Sequence, residues 1–267
     1  MTEERILAVA GKYDAGLLSN RAYDRSRVNA ASAYTRKQAD DAYARISSWP
    51  DYAVTPLRAL SGAAKEFGLA GLWCKDESRR LGLASFKAAG AVYAAVYEVA
   101  ELLRKRLGRP VSDIDLLSGR YRENLVDTFL ICCTDGNHGF SVAHAARRMG
   151  CRAVIYIPNG VSAEREKALG REGAEVVRID GIYDEAYEAV EKAAASTPGA
   201  VLISDSATPH YKEIPTRCMT GYAVIAREIV SQLGEIAPSH VMLPAGCGGM
   251  AAALIAVLPQ ILSACSK

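Results

Sequence analysis

Residues 127–158 read DTFLICCTDGNHGFSVAHAARRMGCRAVIYIP and contain two apolar runs separated by a helical pattern. The runs at 127–133 and 151–158 are rich in β-branched and aromatic residues, which favours strands. Apolar residues at helical spacing fill 138–149. Two strands joined by a helix are typical of parallel pairing, because a parallel connection must cross back over the sheet.

The same alternation continues on both sides of this unit. Further strands are predicted at 71–77, 174–179, 200–205 and 240–246, and helices at 85–107, 162–172, 183–196, 213–234 and 250–262. Continuous rather than alternating apolar strands indicate burial on both faces. The pattern therefore predicts an α/β fold with parallel sheets flanked by helices.

Composition limits the class of protein. The chain has 267 residues, 50% of them apolar, and a formal net charge of +2. These values are typical of a globular protein and give no sign of nucleic-acid binding. The sequence contains no apolar run long enough to span a membrane, and its first residues do not resemble a signal peptide. Seven cysteines without paired spacing indicate reduced thiols. We expect a cytoplasmic protein that binds neither nucleic acid nor membrane.

The segment LGLASFKAAGAVYAAVYEVA (81–100) places one cation, Lys87, among apolar residues. Ser85 is a suitable N-cap, so Lys87 is expected in the first turn of a buried helix. The helix dipole and burial both act against a charged amine there, and we expect a lowered pKa. A neutral amine can form a Schiff base with an aldehyde. The alternative is a lysine whose ammonium simply extends to solvent.

Two glycine-containing loops complete the pattern. TDGNHG (134–139) lies between a predicted strand and a predicted helix. Its N–H groups could bind an anion at the start of the helix, or its residues could only cap a turn. LPAGCGGMAAAL (243–254) has the composition of a phosphate-binding loop and also fits the weaker dinucleotide pattern G-x-G-x-x-A. An amine for an aldehyde, a polar loop and a phosphate loop together describe a pyridoxal phosphate site.

The segments CKDESRRLGLASFKAAGA (74–91) and TDGNHG resemble the fold-type II pyridoxal phosphate enzymes, whose fold is like that of the tryptophan synthase β subunit. Within that family the chain is most similar to diaminopropionate ammonia-lyase, because Asp135 stands where dehydratases usually carry Ser or Thr. The likeness runs from about residue 52 to about residue 258. It implies an N-terminal arm at 1–50, a large cofactor domain at 51–126 and 200–267, and a small domain at 127–199.

The resemblance also implies roles for individual residues. Lys87 would hold the cofactor through a Schiff base and later move protons. Asp135 would take the α-proton of the D-isomer of 2,3-diaminopropionate, Lys87 would serve the L-isomer, and Asp205 would attract the substrate's second ammonium. The remaining implied contacts are Asn137 with the pyridoxal oxygen; Gly246, Cys247, Gly248, Gly249 and Met250 with the phosphate; and Thr134, Gly136 and His138 with the substrate carboxylate.

The sequence departs from the family at several places. Phe140 and Ser141 replace the usual Arg-Gly, and ATPHY (207–211) stands where the family has Trp and Gly before Tyr. The chain also ends soon after the glycine loop, so the C-terminal part of the large domain is expected to be missing. No histidine or cysteine pattern predicts a metal site.

Three functions are consistent with these features. The first is elimination of 2,3-diaminopropionate to pyruvate and ammonia, by a homodimer that acts on a small amino acid. The second is a β-eliminating enzyme like the serine and threonine dehydratases. The third is a truncated, non-catalytic protein that keeps the fold.

Overall fold

The computed structural model describes the backbone of residues 36–265 and the side chains of residues 36–259. Most of the expected arm at 1–50 therefore lies outside the described residues. The first described elements are α1 (Arg36–Ser47), β1 (Leu57–Ala59), α2 (Ser61–Glu66), β2 (Trp73–Lys75), α3 (Lys87–Leu107) and α4 (Asp113–Leu117). Strands β1 and β2 pair antiparallel as a small two-stranded sheet.

A parallel four-stranded sheet follows. Its elements are β3 (Phe129–Cys133), α5 (Asn137–Met149), β4 (Arg152–Pro158), α6 (Ala163–Arg171), β5 (Glu175–Ile179), α7 (Tyr183–Ser196) and β6 (Ala200–Leu202). The strand order is β5-β4-β3-β6, and every neighbouring pair is parallel. The predicted α/β architecture is confirmed, and β3, which lies inside the sheet, is the strand that leads to the loop at 134–139.

The last described elements are three helices: α8 (Glu213–Gly221), α9 (Ala223–Leu233) and α10 (Gly249–Cys265). The helix predicted at 213–234 is interrupted at Tyr222, which follows the weak helix former Gly221. The strand predicted at 240–246 is wrong, since this segment pairs with no strand and the side chain of Met242 is 91% exposed. A strand needs a neighbour for its backbone groups, and the described residues place none beside it.

Helix α3 is the central helix of the fold and is buried along most of its length. Its alanines and Gly90 let neighbouring helices approach closely, and it packs against α5 and α8. It ends at Gly108, whose left-handed conformation (φ 66°) is a common helix terminus. Three basic residues in its last turn complement the helix dipole. The first residue of this rigid helix is Lys87.

A buried ion-pair network fixes the segment that leads into α3. The Arg80 side chain is fully buried and donates to both carboxylate oxygens of Glu228, at 2.7 and 2.8 Å, and to Glu77 at 2.8 Å. Lys75 Nζ lies 2.6 Å from Glu228. Burial acts to raise the pKa of Glu228, but the bonds to Arg80 and Lys75 outweigh it and lower that pKa to about 2. Two distant chain segments, one at 75–80 and one at Glu228, are thus joined just before Lys87.

Other expectations concern the whole chain. Residues 36–265 belong to one compact unit, and its division into the large and small domains stays a prediction. No helix in the described part of the chain combines the length and apolar character needed to cross a membrane. The six cysteines with described side chains are free thiols: Cys132, Cys133 and Cys218 are buried, Cys151 is partly buried, and Cys74 and Cys247 are exposed.

Candidate active site

Lys87 is the first residue of α3, as the sequence indicated. Its backbone N–H donates to the hydroxyl of Ser85 at 3.2 Å, although the N-cap position itself belongs to Phe86. The side chain is 22% exposed, and its ammonium lies 5.9 Å from the centre of the Phe86 ring. The Lys87 side chain is therefore mostly withdrawn from solvent and is not completely buried.

The Lys87 ammonium forms an ion pair with the carboxylate of Asp205, which is 9% exposed and follows β6. His138, in the first turn of α5, completes this cluster, with its Nδ1 3.7 Å from Asp205. Its Nε2 lies 2.8 Å from the Ile203 carbonyl oxygen, which only accepts, so Nε2 carries a proton. The buried Nδ1 has no hydrogen-bond partner and faces the carboxylate.

The ion pair changes the charge state expected for the lysine. Burial acts to lower the pKa of Lys87, but the charge of Asp205 and the hydrogen bond to it outweigh burial, so the net pKa is raised. Burial likewise acts to raise the pKa of Asp205, while His138 and Lys87 together lower it. The prediction of a lowered lysine pKa is wrong for this arrangement. The structure holds an ammonium against a carboxylate.

The loop between β3 and α5 is held by one threonine. Thr134 is buried, and its hydroxyl accepts hydrogen bonds from the N–H groups of Gly136 at 2.9 Å and Gly139 at 3.1 Å. The Asp135 carbonyl oxygen accepts from the Arg165 guanidinium at 2.8 Å. These bonds fix the path of the backbone at the start of α5, where N–H groups are available to an anion.

Two residues of this loop were predicted to act through their side chains. Asp135 and Asn137 are both exposed, Asp135 before the helix and Asn137 as its first residue. Thr134 and Gly136 hold the loop as described above. The structure thus brings Lys87 and Asp205 into contact and leaves the assigned roles of the loop residues as predictions.

The glycine turn at 246–250 begins α10. Gly248 has a left-handed backbone (φ 81°), which favours glycine, and Gly249 is the first helical residue. Gly246 and Cys247 are exposed, whereas Met250 is buried. The Cys247 thiol lies close enough to Lys87 to act electrostatically on its pKa. The turn therefore presents the N–H groups of a long helix to the region of the amine.

Tyr222 joins these parts and was not recognised in the sequence. Its ring centre lies 5.8 Å from that of Phe86, and its Cε2 lies 3.9 Å from the ideal Cβ position at Gly249. It follows directly after α8, within the segment TGYAVI, which carries no local signal of a binding site. Only the packing of α3, α8 and α10 around it reveals its position.

These residues fit pyridoxal phosphate. The site has a partly exposed lysine for an aldehyde and a helix start with a glycine turn for a phosphate. It also has two buried polar atoms without partners, His138 Nδ1 and the Tyr222 hydroxyl. Among the residues with described side chains, no group of acidic, histidine or cysteine residues is arranged to hold a metal ion. The arrangement favours an organic phosphate ligand.

Comparison with known proteins agrees with this chemistry. The family described as pyridoxal-phosphate dependent enzyme matches residues 49–264. Diaminopropionate ammonia-lyase of Salmonella typhimurium is 38% identical over 209 residues, which cover 77% of this chain and 51% of the relative. A probable D-serine dehydratase of Burkholderia pseudomallei is 29% identical over 206 residues, covering 73% and 44%.

Solved structures give the same result. The holo form of diaminopropionate ammonia-lyase from Escherichia coli, with selenomethionine incorporated, superposes with a TM-score of 0.76 at 37% identity, covering 85% of this chain and 58% of that one. Its apo form gives a TM-score of 0.75. The chain spans about half the length of the curated relatives it matches.

Proposed function

Since the chain belongs to the family of pyridoxal-phosphate dependent enzymes, we propose that it is an ammonia-lyase acting by α,β-elimination on a small amino acid. The proposed substrate is 2,3-diaminopropionate, which would give pyruvate and ammonia. The fold-type II α/β class and the pyridoxal phosphate cofactor, both predicted from the sequence, are confirmed by the family match and the superposed structures.

One observation carries the choice of substrate: the carboxylate of Asp205 already holds an ammonium in this site. Asp205 is mostly buried, so its charge needs a close positive partner. If Lys87 holds the cofactor, its ammonium would no longer be available to that carboxylate. The β-ammonium of 2,3-diaminopropionate would supply the missing charge, whereas the hydroxyl of serine would not.

The remaining parts act around this pair. Pyridoxal phosphate, when bound, supplies an aldehyde for an amine and a ring that accepts electrons from the substrate α-carbon. Lys87 would be the attached amine and would move protons at that carbon. The N–H groups of 246–250 would bind the phosphate, because a helix start attracts anions. The Phe86 ring lies beside the lysine, with its centre 5.9 Å from the ammonium.

The loop after β3 would orient the substrate. Thr134, Gly136 and His138 would contact the α-carboxylate, and Asn137 would contact the pyridoxal oxygen. The Gly136 N–H would exchange its bond to the Thr134 hydroxyl for one to the carboxylate. The His138 ring already bonds Ile203, so its contribution to the carboxylate would come from the backbone. Asp135 would take the α-proton of the D-isomer.

The test is product analysis with purified protein and added cofactor. We expect the wild type to release pyruvate and ammonia from D- and L-2,3-diaminopropionate, and Lys87→Ala to release no product. We also expect borohydride to fix the cofactor to the peptide containing residue 87 in the wild type and not in Lys87→Ala. Asp205→Asn should lose more kcat/KM for the diamine than for serine. Asp135→Asn should lose turnover of the D-isomer more than of the L-isomer, and equal losses would remove its assigned role.

A dehydratase-like activity is the second candidate, supported by the similarity to a probable D-serine dehydratase. Turnover of serine or threonine with none of the diamine would establish it in place of the first. A protein that forms no cofactor adduct and releases no product from any of these amino acids would be the non-catalytic form considered above.

The assembly and location follow the resemblance. We propose a homodimer in the cytoplasm, acting on free amino acids. Light scattering during gel filtration measures the mass of the assembly directly, and a monomer of 28.6 kDa would contradict the dimer.

A further inference from the structure

Tyr222 carries a buried hydroxyl with no hydrogen-bond partner. The residue is 1% exposed. Of the four buried, unpartnered side-chain atoms in the part of the chain with described side chains, two belong to Glu98 and Arg227, whose charged groups are in ion pairs. A third is Nδ1 of His138, which faces a carboxylate. The Tyr222 hydroxyl is neutral and unmatched, and burying such a group without a bond is unfavourable.

The ring of Tyr222 is held between the helix that carries the lysine and the helix that begins with the glycine turn. A Cβ at Gly90 would lie 2.6 Å from the ring atom Cζ, which bears the hydroxyl, so the ring rests directly on the α3 backbone. Gly90 lies three residues after Lys87 and on the same face of the helix. The ring edge at Cε2 faces Gly249.

The hydroxyl keeps its proton in this environment. Burial raises the pKa of Tyr222 well above its ordinary value, and the acidic groups of Cys218, Asp205 and Cys247 act in the same direction. The residue is therefore a neutral O–H donor. A donor without an acceptor, beside a helix start that favours anions, matches an anionic ligand atom.

We propose that the Tyr222 hydroxyl donates a hydrogen bond to the phosphate group of the cofactor. The proposal rests on the proposed function, in which the turn at 246–250 binds that phosphate. Tyr222 is a positioning residue: it adds a side-chain donor to the backbone donors of the turn and links the phosphate to the helix that carries Lys87.

The test compares two ligands that differ only in the phosphate. Dissociation constants of pyridoxal 5′-phosphate and of pyridoxal are measured by absorbance titration of the wild type and Tyr222→Phe. Hydrogen bonds to charged groups are the strong ones, so Tyr222→Phe should weaken binding of the phosphorylated ligand on the order of tenfold and leave pyridoxal within about twofold. Tyr121→Phe, at a buried tyrosine between α4 and β3, is the control and should change neither constant.

Stability without cofactor separates this role from a structural one. Apo Tyr222→Phe should unfold at the same urea concentration as the apo wild type or at a higher one, because only an unpartnered buried hydroxyl is removed. A lower apo midpoint, or equal weakening of both ligands, or no weakening of either, would overturn the inference. A wild type that does not prefer the phosphorylated ligand would instead overturn the proposed phosphate site.

Discussion

Replacement of Gly90 by Ala tests whether the close contact between α3 and Tyr222 builds the site. An added Cβ would lie 2.6 Å from Cζ of Tyr222 and 2.7 Å from the backbone carbonyl oxygen of Cys218. Non-bonded carbon atoms normally stay about 3.5–4.0 Å apart. The ring could shift slightly, but the carbonyl belongs to the backbone of α8 and cannot rotate away.

The magnitude follows from two opposing effects. Overfilling a packed interior by one methyl group costs roughly 1–3 kcal/mol. Replacing glycine by alanine inside a helix raises the free energy of unfolding by about 0.5–1 kcal/mol. Because one of the two clashing atoms is fixed backbone, we expect a net loss of roughly 1–2 kcal/mol in the free energy of unfolding. With a urea dependence of about 2 kcal/mol per M, the unfolding midpoint falls by roughly 0.5–1 M.

The assay is urea unfolding followed by far-UV circular dichroism. Gly170→Ala in α6 is the matched control, because a Cβ there meets no atom within 4 Å. The control should gain about 0.5–1 kcal/mol, the opposite sign. Gly90→Ala should also weaken cofactor binding, since the displaced ring is the one that faces Gly249. A Gly90→Ala protein as stable as the wild type would refute the close packing of α3 and α8 on which the position of Tyr222 depends.

Three other predictions concern charge and backbone. The pKa of Glu228 is lowered from 4.5 to about 2 in the folded protein, so its contribution to the free energy of unfolding is complete above pH 4.5 and is lost as the pH falls towards 2. Glu228→Gln should flatten that part of a curve of stability against pH and lower the free energy of unfolding by about 3 kcal/mol at neutral pH. Asp205→Asn removes the carboxylate that raises the pKa of Lys87, so burial should lower that pKa and the midpoint for acylation of Lys87 should move to lower pH. Mass spectrometry follows the acylation, and an unchanged midpoint would contradict the ion pair. Gly199→Ala should lower the thermal midpoint more than Gly170→Ala changes it, because Gly199 has φ 83° and an added Cβ would overlap the Asp127 carbonyl oxygen.

The parallel sheet could be predicted because its strands are buried on both faces. β3 and β4 are continuous apolar runs, and such runs show in sequence without knowledge of their neighbours. The segment 240–246 has a similar composition, but composition does not show whether a pairing partner exists, and the prediction there was wrong. The strand order β5-β4-β3-β6 also depends on long-range pairing, which no local pattern contains.

In the candidate site, too, features with a local sequence pattern could be predicted and features that depend on distant residues could not. The positions of Lys87 and of the glycine turn at helix starts could be predicted because each has its own local signature, a cation in an apolar helix and glycines before a helix. Their roles toward the cofactor stay predictions. The direction of the lysine pKa could not, because its partner Asp205 lies 118 residues away in sequence. Tyr222 could not be predicted for a related reason. Its ring packs against Gly90 and Gly249, which belong to two other helices.

In the proposed function, the carboxylate of Asp205 would link cofactor attachment to substrate choice. It lies in a mostly buried position, where an unpaired charge costs several kcal/mol. With Lys87 held by the cofactor, His138 would be the basic group that stays beside Asp205 among the described side chains, at 3.7 Å. A diamine would place an ammonium at that carboxylate, whereas serine would place a neutral hydroxyl there. Discrimination between the two substrates would then arise mainly from the loss of an ammonium partner at Asp205 when serine binds. Asp205→Asn should therefore narrow the preference for the diamine by slowing turnover of the diamine rather than by speeding turnover of serine.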